Sequence, residues 1–92
     1  MIQSFRHRGL ERFFTQDDTR RIPPAFANRL RRILARLHSA QEIRDMDAPG
    51  LVLHPLRGNL ADFWAVRVSG NWRVVFRFEE GQVFDVDLMD YH

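Results

Sequence analysis

The chain has 92 residues, 45% of them apolar, with no cysteine and a net charge of +2. That length fits one domain (residues 1–92), the apolar share is too high for disorder, and the absent thiols exclude a disulfide framework or a thiolate metal site. No stretch approaches the roughly 18 apolar residues that span a bilayer, and "MIQSFRHRGL" lacks the apolar run of a signal peptide, so a cytoplasmic protein with no membrane partner is expected.

"MIQSF" reads as a short first strand, and "GLERFFTQ" as a short helix with Leu10, Phe13 and Phe14 on one side. "DDTRRIPP" is a linker, because paired prolines cannot sit inside a helix. "PAFANRLRRILARLHS" carries the strongest helical signal. Pro24 suits a first turn, and Phe26, Leu30, Ile33, Leu34 and Leu37 recur as one apolar stripe. At about 100° per residue, Arg29, Arg32 and Arg36 cluster beside that stripe while Arg31 lies apart. This flank is either a solvated helix side or a phosphate-tracking surface. "SAQE" at Ser39–Glu42 matches a capping box, so a second helix is expected to start at Ser39 and stop before Pro49–Gly50. "LVLHPLRGN" follows as an extended or looped connection.

From Phe63 the apolar period changes to two. "FWAVRV" puts Trp64, Val66 and Val68 on one face, "WRVVFRF" puts Trp72, Val74, Phe76 and Phe78 there, and "QVFDVDL" puts Phe84, Val86 and Leu88 there. Short turns at "SGN" and "EEG" join these runs into an antiparallel meander. The expected fold is therefore α+β: a small antiparallel sheet packed on one face by the N-terminal helices.

The opposite sheet face then offers Arg67 from the first run, Arg73, Val75 and Arg77 from the second, and Val83, Asp85 and Asp87 from the third. The aspartates can satisfy some of these arginines as cross-strand pairs. All 14 basic residues are arginine, whose fork fits phosphate or carboxylate. Residues 1–38 hold nine of them against three acids, and residues 39–92 hold five against nine. That polarity suits an RNA-facing basic half or a surface that meets an acidic protein.

Proton-handling groups stand at "LHPL" (His54) and at the closing "DYH" (Asp90, Tyr91, His92). Histidine donates or accepts a proton near neutrality, aspartate orients an imidazole or acts as a base, and tyrosine hydrogen-bonds or stacks on a nucleobase. Arginine beside such a set suits phosphodiester transfer in RNA, in which the ribose 2′-OH attacks the adjacent phosphorus and arginine neutralises the growing phosphoryl charge. That scheme requires no metal or other cofactor. The spacing of His7, His38, His54 and His92 matches no recognised ligand pattern.

Almost end to end, through "MIQSFRHRGLERFF", "LRRILARLHSAQEIRDMDAPG", "LHPLRGNLADFWAVRVSGNWRVVFRFEEG" and "DVDLMDYH", the chain resembles the HigB toxins of the RelE/ParE superfamily. The resemblance implies a RelE-like α+β fold and a ribosome-dependent endoribonuclease that cuts mRNA in the A site. It implies a HigA-like helix-turn-helix antitoxin as partner, with operator DNA bound only through that antitoxin. It also implies functional roles for His54, Asp90, Tyr91 and His92, with Arg73 near the scissile phosphate, and the basic helix flank of Arg29, Arg32 and Arg36 would suit ribosomal RNA; Arg67 and Arg77, from the sheet face, are expected to join them in binding RNA. The ParE-like branch acts on DNA gyrase and lacks this acid–base set. A gyrase-binding toxin and a non-catalytic nucleic-acid-binding module are the alternatives.

Overall fold

The computed structural model describes residues 1–91. Helix α1 spans Arg8–Gln16 and helix α2 spans Ala27–Ser39. Strands β1 (His54–Pro55), β2 (Phe63–Ser69), β3 (Trp72–Glu79) and β4 (Gln82–Asp90) form one antiparallel sheet in sequence order.

His7 starts α1: its Nδ1 accepts the Leu10 amide at 2.9 Å, satisfying one of the donors a helix start leaves free. Asp17 ends the helix in the left-handed region at φ 54°. The linker after it is pinned. Its Ile22 is buried, Asp17 pairs with Arg31 at 3.0 Å, and Asp18 pairs with Arg20 at 2.8 Å. The predicted first turn at Pro24 is a 3-10 turn, Pro24–Phe26, leading into α2.

The stripe on α2 packs as its spacing demands. Leu30, Ile33, Leu34 and Leu37 are buried, and Phe26 packs against the core edge-on to Trp72. On the sheet side Val66, Val68, Val74, Phe76, Val86 and Leu88 complete the same core. Burying each such side chain stabilises by about 1.5–3 kcal/mol.

Three expectations need correction, at Ser39, in "MIQSF" and in β4. No helix starts at Ser39. The Ser39 hydroxyl donates back to the Arg36 carbonyl at 3.1 Å, so it closes α2 instead of opening the next helix. The cap forms three residues later, where Asp45 accepts the Gln41 and Glu42 amides at 2.9 and 3.0 Å and starts only a 3-10 turn, Ile43–Met46.

"MIQSF" is not a ladder strand. It makes two isolated parallel bridges, Ile2 to Val83 and Phe5 to Val86, that cover the edge of β4. The "LVLHPLRGN" connection contributes a fourth, two-residue strand, with His54 opposite Ala65.

Period two also breaks in β4. The register shifts between Val75 and Arg77, and Asp85 sits at φ 56°. This bulge turns Val83 into the core and leaves Phe84 on the other side, under the Arg77 guanidinium at 5.1 Å. Alternation had placed these two residues the opposite way.

Charge-assisted bonds from two amides hold the Asp45 carboxyl below the usual carboxylate range. A depressed folded-state pKa gives stability that is complete above the unfolded value and fades as pH falls through the folded one. Asp45→Asn is therefore expected to melt below wild type at pH 7, with the gap closing in strong acid. Thermal melts of both proteins from pH 7 to pH 2 check this.

Candidate active site

The sheet face away from the helices is built in rows. His54, Ala65, Val75 and Asp87 stand side by side across the four strands, and Arg67, Arg73 and Met89 form the next row. Paired residues project to the same side, so His54, Arg67 and Arg73 share this open face. His54 and Arg73 lie two strands and two residues apart, roughly 12 Å between Cα atoms from standard strand spacings. A phosphodiester with its flanking sugars bridges such a gap when approached by a long arginine from one side and an imidazole from the other.

The face has an apolar floor that period-two reasoning did not foresee. Leu56, Phe63, Ala65 and Val75 are buried together, with Leu60 and Met89 packed on them. Leu56 and Leu60 come from the segment after β1, which folds back through the Leu56 amide to the Phe63 carbonyl at 2.9 Å. The Arg6 guanidinium lies 4.8 Å from the Phe63 ring centroid. Its position in "FRHR" gave no sign of this, because the contact joins residues distant in the chain.

The arginines divide into two groups. Arg77 is committed: it pairs with Glu79 at 2.7 Å and Asp85 at 3.0 Å. Among the described residues, Arg6, Arg67 and Arg73 form no ion pair. Half-buried Arg73 is braced by its Nη1, which donates to the Gly70 and Trp72 carbonyls at 2.7 and 3.1 Å. Bonds from one nitrogen to neutral acceptors fix the fork, and no carboxylate of the described residues neutralises its charge.

His54 is oriented by its own segment. Its Nδ1 lies 2.9 Å from the Val52 carbonyl oxygen. A carbonyl only accepts, so Nδ1 carries the proton in this contact and the lone pair of the neutral ring belongs to Nε2. His7 and His38 have structural tasks, since the Nδ1 of each accepts a backbone amide.

The tail reaches the same end of the sheet. The Tyr91 amide donates to the Asn71 carbonyl at 2.7 Å, anchoring the chain beside the β2–β3 turn near Arg73. Tyr91 is 43% exposed. Asp90 stands opposite Trp72, at the sheet margin, on the other side of the pleat from Arg73 and Met89. His92 lies outside the described residues.

A second basic surface flanks α2, on the helix side. Arg29, Arg32 and Arg36 border a cleft of about 230 Å³ with Ile33, Ala48, Pro49 and Leu51. None of the three forms an ion pair among the described residues. Arg29 Nη2 donates to the carbonyls of Gly50 (2.9 Å) and Arg67 (3.3 Å), and Arg36 Nε to that of Asp45 (2.7 Å).

A four-stranded antiparallel sheet, covered by helices on one face and bearing arginines and a histidine on the other, has the architecture of the RelE-like toxins. The family description "RelE-like toxin of type II toxin-antitoxin system HigB" matches residues 3–92. Two relatives agree. Endoribonuclease HigB of Proteus vulgaris is 34% identical over 92 residues, the full length of both chains. Toxin HigB-1 of Vibrio cholerae is 34% identical over 90 residues, covering 96% of this chain and 95% of that one. The chain belongs to the HigB-like toxins of type II toxin–antitoxin systems.

Proposed function

We propose that this toxin is a ribosome-dependent endoribonuclease that cuts mRNA in the A site. The observation that carries this reading is that His54 and the braced Arg73 share one apolar-floored sheet face. Membership in a family that includes an endoribonuclease supports it.

In the reaction the 2′-oxygen attacks the adjacent phosphorus as its proton leaves. The bond to the 5′-oxygen breaks, and that oxygen takes up a proton. A 2′,3′-cyclic phosphate and a free 5′-OH result. Arg73 holds the phosphoryl oxygens and stabilises the charge that grows on them. His54 and His92 divide the two proton transfers, as base and acid. Asp90 orients an imidazole from the sheet margin, and Tyr91 stacks on a base or sugar. Arg67 follows the mRNA backbone. Arg77 contributes to RNA binding only by exchanging its carboxylates for phosphate.

The flank of Arg29, Arg32 and Arg36 meets ribosomal RNA, with Arg29 and Arg36 each also committing one nitrogen to backbone carbonyls. A HigA-like antitoxin holds the toxin inactive in the cytoplasm and supplies the operator binding. So few catalytic groups work best when the ribosome arranges the mRNA, which makes naked RNA a poor substrate.

The test is a translating ribosome complex with a defined mRNA, its 5′ ends mapped by primer extension, beside naked mRNA and a chain lacking His92. Cuts within the A-site codon, seen only with ribosomes and lost without His92, are expected. No cuts from folded protein that still arrests growth would transfer the reading to a binding toxin directed at gyrase or another complex.

A further inference from the structure

The short segment between the α2 flank and His54 contains a backbone irregularity with a chemical consequence. The Arg67 amide donates to the Leu51 carbonyl at 2.7 Å, which sets Leu51 opposite Arg67. His54 stands opposite Ala65. Three steps along one chain therefore face two along the other, which is the definition of a bulge. The extra residue is absorbed at Val52, whose φ is 51°. A β-branched residue in the left-handed region is a steric outlier. Val52 is also 60% exposed, so its side chain recovers little of the cost by burial.

The surroundings hold the bulge in place. Leu51 is buried, its amide bonds to the Ala48 carbonyl at 3.1 Å, and its carbonyl is tied to β2. Arg29 Nη2 joins the Gly50 and Arg67 carbonyls from the helix side. The result of the extra residue is that the Val52 carbonyl turns toward the ring of His54, two residues on.

We propose that Val52 is a positioning residue for His54: its left-handed bulge, stapled by Arg29, holds the ring with the proton on Nδ1 and assigns Nε2 as the atom that exchanges protons with RNA. The proposal deepens the reading above and rests on it for the role of His54. The carbonyl serves both protonation states. It accepts from Nδ1–H in the neutral ring and in the imidazolium alike, so orientation is kept while Nε2 gains and loses its proton. Bulges recur where a side chain must be re-aimed, and strained backbone persists where its surroundings over-determine it. Part of the α2 flank thereby acts on the open face through the backbone, without touching RNA.

The experiment is long-range proton–nitrogen NMR of the imidazole rings in the intact chain across a pH titration, with His54 assigned by comparison with His54→Gln. In wild type the neutral ring is expected to show Nδ1 protonated and Nε2 bare. Val52→Gly retains that pattern, because glycine adopts the same φ without a Cβ clash. Val52→Pro loses it, because proline locks φ near about −65°. In the ribosome assay Val52→Pro is expected to lower kcat about tenfold with KM within about twofold, and to displace the pH profile, while Val52→Gly cuts faster than Val52→Pro. Arg29→Ala gives an independent route, mixing the tautomers through loss of the staple. A wild-type His54 with its neutral proton on Nε2 overturns the proposal even if no variant folds. So does a folded Val52→Pro with unchanged tautomer and pH profile. Wild-type cleavage by His54→Gln would instead overturn the reading of His54 as a proton-transfer group, which the tautomer measurement leaves untouched.

Discussion

Arg73→Ala is expected to fold, to bind ribosomes, and to cut mRNA about 10²–10³-fold more slowly, the usual cost of removing one preorganised donor from a charge-stabilising site. The size of the effect follows from the local geometry. Arg73 stands on β3, the second-last strand of the order, flanked by Arg67 and Met89 in its row. Two carbonyl bonds hold its fork in place before substrate arrives, so little reorganisation is needed as phosphoryl charge develops. No carboxylate of the described residues pairs with it, so none of them competes with phosphate for its charge. The folding cost is small by comparison. The lost bonds are worth about 0.5–1.5 kcal/mol each, and the Gly70 acceptor is at an exposed turn where water replaces the donor. Arg73→Lys keeps the charge and loses the planar fork, so it is expected to recover only part of the rate. Single-turnover cleavage on a programmed ribosome, beside thermal melts, separates the two effects. Cleavage within twofold of wild type would remove Arg73 from the chemistry.

Phe76→Ala is expected to have the largest effect on stability. Phe76 is 0% exposed at the centre of β3 and packs in the core shared by α2 and the sheet. Truncating a buried phenylalanine costs about 3–5 kcal/mol, because the transfer energy is lost and a cavity remains. Domains of this size have only about 5–15 kcal/mol in total. At about 4–8 °C per kcal/mol, the melting temperature should fall by roughly 12 °C or more. Urea denaturation should show a lower midpoint with an unchanged slope. A loss under about 1 kcal/mol would mean that the core repacks around the gap. Reduced cleavage by this variant should follow its unfolded fraction, whereas in Arg73→Ala it should not, and the two substitutions together distinguish chemistry from scaffold.

The elements whose residues alternate regularly were legible without any structure. The stripe Leu30, Ile33, Leu34 and Leu37 is buried, as are Val74 and Phe76, with Trp72 and Phe78 half-buried against the same core, since periodicity alone decides which side of a helix or strand can leave water. Arg73 and His54 were legible as residue types suited to phosphate and proton chemistry. Other features rest on contacts between distant parts of the chain. Ser39 is a local exception: its hydroxyl donates to the Arg36 carbonyl three residues back, closing α2 where the capping-box spacing suggested a new helix start. Phe84 and Val83 exchanged sides because the Asp85 bulge shifts the register, and no residue pattern in "QVFDVDL" announces it. The floor of Leu56, Phe63, Ala65 and Val75, the Arg6 cap on Phe63, and the pairing of Arg77 with Asp85 and Glu79 all depend on strand register and chain reversal. Composition and local spacing thus supplied the parts and their chemistry. Their grouping on one face came from long-range pairing, because hydrogen-bond register is a property of two strands at once and neither carries it alone.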